Sequence, residues 1–201
     1  MILLCTFFSV LIISVLFADI IFFDKSFASG DTLNPYAADN ILNQSKVLLN
    51  EWPQWQPWIF SGMPSLESFS YVNLLYLPSH LLNEIGFSDI SIQFLHLMFT
   101  AIGMYLLINK LTSKRYISII TSLLWIMNPF LITMIVFGHG SQMMTASFFP
   151  WVLFSLICLK ENPSIKNMII LALLLGFQFQ RAHVQIVYYS CMMLFSFFAY
   201  N

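Results

Sequence analysis

Charged side chains are scarce in this chain. Asp, Glu, Lys and Arg make up 8% of its 201 residues, against about 25% in a soluble domain. With 59% hydrophobic residues and a mean hydropathy of +0.79, that shortage excludes an ordinary soluble domain. A chain of this size has no interior large enough to hide so much apolar surface, so lipid is the expected solvent for most of it. Basic residues form no patch, which excludes a nucleic-acid partner. Cysteine is also rare. Cys5, Cys158 and Cys191 are odd in number, lie in apolar runs and show no metal-ligand spacing, which leaves them as packing residues. No nucleotide-binding glycine loop, HExxH or serine elbow occurs.

What is present is a series of apolar runs and one long polar interruption. Residues 2–23 form the first run, long enough to cross a bilayer core of about 30 Å. A retained span is favoured over a cleaved signal, because a basic n-region is missing and the run exceeds a usual signal core. Asp19, near its outer end, reads as an interfacial carboxylate. Residues 24–89 then hold seven of the nine acidic residues and three of the five tryptophans. Within them, Asn34-Pro35 is a helix-start signal. Ala38, Ile41, Leu42, Leu48 and Leu49 fall on one face of the expected helix, and Asp39, Asn43, Lys46 and Asn50 on the other, the pattern of an amphipathic helix on a membrane surface. The Trp52-Pro53-Gln54-Trp55-Gln56-Pro57-Trp58 stretch suits the interfacial belt, and Ser61-Gly62-Met63-Pro64 a turn. Pro78 interrupts the apolar stretch 74–85, which reads as shallow or re-entrant.

Residues 90–201 read as a helical bundle with spans at about 90–109, 116–136, 143–159, 167–180 and 184–201. Ser88-Asp89 caps the first of these, and Asn128-Pro129 should kink the next. The fold class is therefore an all-α polytopic membrane protein with about six transmembrane helices. The last stops at Tyr200-Asn201 without a polar tail, which suggests the N-terminal piece of a longer protein. Five of the eight Lys and Arg residues lie in the connections 110–115 and 160–167. The positive-inside rule puts those connections and the N-terminus in the cytoplasm. The 24–89 loop, the 138–142 turn and the 181–185 segment then share the external face.

The residues able to carry chemistry lie in those three interruptions. Asp31 is a candidate general base, metal ligand or cation partner at the membrane surface, with a helix-start aspartate as the plain alternative. His139 stands between two glycines, where backbone can approach a ligand closely. The apolar run before Arg181 and His183 is too short to span, so both are expected at or below the interface, where an ionisable group lines a cavity or pairs with a partner. A guanidinium and an imidazole there suit a phosphate or pyrophosphate headgroup. Gln142 and Gln185 can add neutral hydrogen bonds.

Gly30-Asp31, Trp58-Ile59-Phe60-Ser61-Gly62-Met63-Pro64, Gly138-His139-Gly140-Ser141 with Pro150, and Ala182-His183-Val184-Gln185-Ile186 with Tyr188-Tyr189 resemble, in that order, the bacterial YfhO-type membrane proteins. The resemblance covers roughly residues 30–190 and implies an arrangement like that of the GT-C glycosyltransferases. It implies Asp31 as the catalytic or metal-binding loop carboxylate, a polyprenyl-phosphate sugar as donor and a cell-envelope polymer as acceptor. It also places the chain in the bacterial cytoplasmic membrane, in contact with lipid, and leaves room for a divalent cation. Gln142 stands where the resemblance would have a lysine, and Arg181 where it would have a neutral residue. A lipid-linked sugar or polymer transporter and a non-catalytic membrane scaffold are the alternative expectations.

Overall fold

The computed structural model describes residues 1–23, 25–51, 53–57, 61–65, 76–181 and 183–200, with the backbone alone at positions 30, 32, 34–36, 38 and 39. Trp52, Trp58, Ile59, Phe60 and Ala182 of the sequence reading lie outside the described residues, as do the side chains of Asn34, Pro35, Ala38 and Asp39. The described residues are 78% helical, and among them the all-α expectation holds but for one two-stranded ribbon. The helices are α1 (Ile2–Leu16), α2 (Ala18–Phe22), α3 (Gly30–Leu49), α4 (Leu77–Glu84), α5 (Asp89–Thr112), α6 (Arg115–Ile126), α7 (Pro129–Val136), α8 (Gly140–Ala146), α9 (Phe149–Glu161), α10 (Ile165–Gln180) and α11 (Val184–Tyr200). The ribbon pairs β1 (Trp55–Gln56) with β2 (Met63–Pro64) in antiparallel register, Trp55 opposite Pro64.

Among the described residues three helical stretches are long and apolar enough to cross a membrane: Asp89–Thr112, Arg115–Val136 and Gly140–Glu161. α1, α10 and α11 are apolar but shorter, at 15, 16 and 17 residues. As straight helices they reach about 22–26 Å.

Local signals explain most of the boundaries. Ser88 caps α5 by accepting from Ser91 N at 3.3 Å. The kink expected at Asn128-Pro129 divides α6 from α7: Asn128 accepts from Phe130 N at 3.0 Å, and Pro129 occupies the first helical turn. Four expectations need correction. The 2–23 run is broken at Phe17, whose φ of −116° and ψ of 29° leave the helical region while its ring is buried. The amphipathic helix starts at Gly30, with Ser29 as N-cap, not at Asn34-Pro35. Ser29 is an equally good cap type, and Asp31 in the first turn faces the positive end of the helix dipole. Pro78 opens α4 instead of breaking a helix. The fourth span begins at Gly140, so Ser141 and Gln142 belong to helix and not to the turn.

The apolar legs alternate in direction, and their contacts separate the two ends of the bundle. At one end Ile13 and Phe17 of the first leg pack with Ile92 and Leu97 of α5, Leu131 and Ile135 of α7, and Met143 and Met144 of α8. At the other end Cys5 packs with Tyr105 and Ile119, and Lys110 of α5 pairs with Glu161 of α9. Buried polar atoms stitch the legs together: Trp125 Nε1 donates to Thr100 Oγ1 at 3.0 Å, Trp151 Nε1 donates to Phe99 O at 2.7 Å, and Cys5 Sγ meets Ser122 Oγ at 3.1 Å. All three cysteines are free thiols.

α5 and α9 come so close that a Cβ on Gly103 would stand 2.5 Å from Trp151 Cδ1 and Nε1, whereas one on Gly176 would meet nothing within 4 Å. Gly103→Ala is expected to cost about 1–3 kcal/mol through overpacking. Gly176→Ala should be neutral or stabilise by up to about 1 kcal/mol through helix propensity. SDS-titrated unfolding of the two variants measures this, and equal midpoints would contradict the close packing.

Candidate functional site

The up-and-down course of the legs brings the polar interruptions to one end of the bundle. There, Asp31 in the first turn of α3 and His139 at the N-cap of α8 form a pair, His139 Nε2 lying 3.3 Å from Asp31 Oδ2. Both side chains are open to solvent, 43% exposed for His139 and 65% for Asp31. A pair this wet contributes less than about 1 kcal/mol to stability. Its accessibility matters more, because it sets a carboxylate and an imidazole side by side where a ligand can reach them.

The glycines around His139 act differently from expectation. Gly138 has φ of 86°, the left-handed conformation that lets the chain leave α7 and enter α8. Gly140 is buried against Gln93 of α5, and a Cβ there would stand 2.5 Å from the glutamine side chain. The close approach is made by a neighbouring helix.

Arg181 and His183 sit at the turn between α10 and α11. The Arg181 guanidinium is 9% exposed and lies 5.5 Å from the centroid of the Tyr76 ring, a cation–π arrangement. Its Nε has no hydrogen-bond partner among the described residues, and neither has His183 Nδ1. Burial opposes the charge on Arg181, while Tyr76 and Asp89 support it. Burial, followed by the nearby His139, pushes the His183 pKa below its ordinary value, so at neutral pH this imidazole is uncharged. Burial likewise raises the Tyr76 phenol, against the pull of Arg181, and keeps it protonated. Gln142 lies half-buried in the first turn of α8, its N–H bonded to His139 O at 3.0 Å. Gln185 turns away from this cluster in its contacts: its Nε2 donates to Tyr189 Oη one helical turn on, at 2.8 Å on the exposed side of α11.

Beneath Arg181 the structure adds residues that the sequence reading passed over. Tyr76, only 1% exposed, meets His96 Nε2 at 3.0 Å, and His96 Nδ1 meets Ser147 Oγ at 2.8 Å. Gln178, fully buried, donates to Thr145 O at 3.2 Å and Ser190 Oγ at 2.8 Å, tying α10 to α8 and α11. A signal for them existed. His96 is the histidine inside the second apolar run, and an ionisable residue at that depth needs partners.

Asp31 and His139 are both metal-ligating types, yet no third His, Cys, Asp or Glu joins them among the described residues. The described residues thus do not by themselves fit a divalent cation.

Gln178→Leu is expected to destabilise the bundle by about 1 kcal/mol, the scale of an interhelical hydrogen bond in a membrane protein. His139→Ala should stay within about 0.5 kcal/mol of the wild type, as for other exposed positions. SDS-titrated unfolding separates the two, and a large loss for His139→Ala would contradict an exposed, non-structural pair. No protein-family model matches the chain, and no curated protein or solved structure shows significant similarity to it.

Proposed function

We propose that this chain is the membrane-embedded segment of a GT-C-like glycosyltransferase that moves a sugar from a polyprenyl-phosphate donor to a cell-envelope acceptor. The observation that carries the reading is the solvent-open Asp31–His139 pair at 3.3 Å, at the same end of the bundle as Arg181. In the proposed step the acceptor O–H loses its proton to the Asp31 carboxylate, with His139 orienting that carboxylate. The acceptor oxygen bonds to the anomeric carbon as the bond from that carbon to the phosphate oxygen breaks. The electron pair leaves with polyprenyl phosphate, where negative charge grows. A fixed cation beside that oxygen stabilises the transition state more than the ground state. Arg181 supplies the charge and uncharged His183 a hydrogen-bonding nitrogen. Gln142, in the first turn of α8 beside His139, is assigned to the acceptor side.

In this reading the six apolar legs all cross the bacterial cytoplasmic membrane. The three short ones meet it by local thinning or by snorkelling of flanking residues. Connections 110–115 and 160–167 and the N-terminus face the cytoplasm by the positive-inside rule. α3 lies on the outer surface, consistent with Leu48 and Leu49 at 83% and 60% exposure. Maleimide labelling of single cysteines in intact cells tests the orientation. A cysteine at Ser29 is expected to react with an impermeant reagent and one at Thr112 to be protected. The reverse pattern would invert the topology and place the pair on the wrong side for an external acceptor.

Asp31→Asn should retain donor binding and lose at least about 100-fold in transfer, the lower range for a general base. Arg181→Ala should lose donor binding itself. Radiolabelled polyprenyl-phosphate sugar, followed for binding and for transfer in parallel, measures both. Unchanged transfer by Asp31→Asn would sink the catalytic assignment and leave carriage of a lipid-linked sugar.

A further inference from the structure

The hydrogen-bond chain under Arg181 has a direction that can be worked out from its far end. Ser147 Oγ carries one proton, and it donates that proton to Met144 O at 2.6 Å. The same oxygen therefore accepts from His96, which places the imidazole proton on Nδ1. His96 Nε2 is left as an acceptor, and the group facing it at 3.0 Å is the Tyr76 hydroxyl, which must donate. A proton on both ring nitrogens would set a second buried cation near Arg181, a cost that no carboxylate beside His96 among the described residues offsets. His96 is thus a neutral imidazole with both nitrogens satisfied, and Tyr76 is tied by its hydroxyl to a ring anchored on α8.

Among the described residues Tyr76 has no comparable anchor from its own segment, since it lies at the N-cap of the short helix α4 with no side-chain cap bond. Its ring packs edge-on against Phe148 and Phe177, at 6.4 Å between centroids in each case. Its face carries the Arg181 guanidinium at 5.5 Å. The cation is held by a ring face, which uses none of its N–H donors, and its buried Nε lacks a partner among the described residues. A guanidinium seated this way keeps its planar donor set for an anion.

We infer that His96, acting through Tyr76, is the positioning residue that holds Arg181 with its donors turned to the donor's phosphate, which becomes a monoester as the sugar leaves. The inference rests on the reading of Arg181 as the group that holds the donor phosphate. It adds that recognition of phosphate depends on a histidine a full layer below it, on α5.

The test uses the full chain in detergent with farnesyl phosphate as probe and farnesol as its uncharged control. Wild-type protein is expected to prefer the phosphate. His96→Leu should weaken farnesyl phosphate binding about tenfold, the scale of one cation–π or buried hydrogen-bond contribution, and leave farnesol binding unchanged. His96→Gln, whose carbonyl can still accept from Tyr76, should recover most of that loss. Tyr76→Phe keeps the ring but loses the tie, so it should reproduce the His96→Leu loss and carries the test should that variant fail to fold. Nitrogen-15 spectra of labelled histidine should show the Nδ1-protonated tautomer at His96. Competition by inorganic phosphate identifies the source of the monoester: displacement at equal concentration points to free phosphate, and resistance to a lipid phosphate. Wild-type affinity in both His96→Leu and Tyr76→Phe, or an Nε2-protonated His96, would overturn the positioning role alone. Equal binding of farnesyl phosphate and farnesol by the wild type would overturn it together with the donor-site reading.

Discussion

An imidazole inside an apolar helical bundle is costly unless both its nitrogens are satisfied, and much of this protein's active-looking end follows from how His96 meets that condition. Tyr76 and Ser147 take its two nitrogens. In doing so they join three parts of the chain far apart in sequence: the segment before α4, the second leg and the break between α8 and α9. Arg181 then rests on the face of the tyrosine so fixed. Without the histidine, that ring would keep its packing on Phe148 and Phe177 but lose the tie at its hydroxyl.

The same economy of polar groups governs the rest of the bundle. Hydrocarbon offers no hydrogen bonds, and several buried donors find partners on a neighbouring leg. The indole of Trp125 reaches Thr100, that of Trp151 reaches a backbone carbonyl of α5, and Gln178 spans to Thr145 and Ser190. Small residues complete the packing where large ones press in, Gly103 beneath Trp151 and Gly140 beneath Gln93. These contacts tie the legs to one another inside the bundle, while Asp31 and His139 remain open to solvent.

Breaks in the legs contribute as much as the legs do. Phe17 ends α1 and buries its ring, Asn128-Pro129 separates α6 from α7, and Ser147-Phe148 separates α8 from α9. At the last of these the helical register changes where Ser147 accepts from His96 and Phe148 packs on Tyr76. Irregular backbone inside a membrane bundle is tolerated where protein buries it, and here it coincides with the polar layer.

Much of this was legible in the chain itself. Hydropathy marked the apolar legs, and local side-chain chemistry the cap at Ser88 and the kink at Asn128-Pro129, because those depend on composition and on neighbours within one turn. The alternation of legs also implied that Asp31, His139, Arg181 and His183 meet at one end, since successive connections of an up-and-down bundle share alternate faces. Which of two adjacent cap signals starts α3 was beyond local reading, because Ser29 and Asn34 are of similar strength. So was the role of Gly140, which depends on a glutamine in another helix. Only the tertiary structure decided that Asp31 pairs with His139 while Gln185 bonds within its own helix, and that Arg181 sits on Tyr76 above His96. Those pairings join residues tens of positions apart, and their geometry comes from how the legs pack, which no periodicity along one leg encodes.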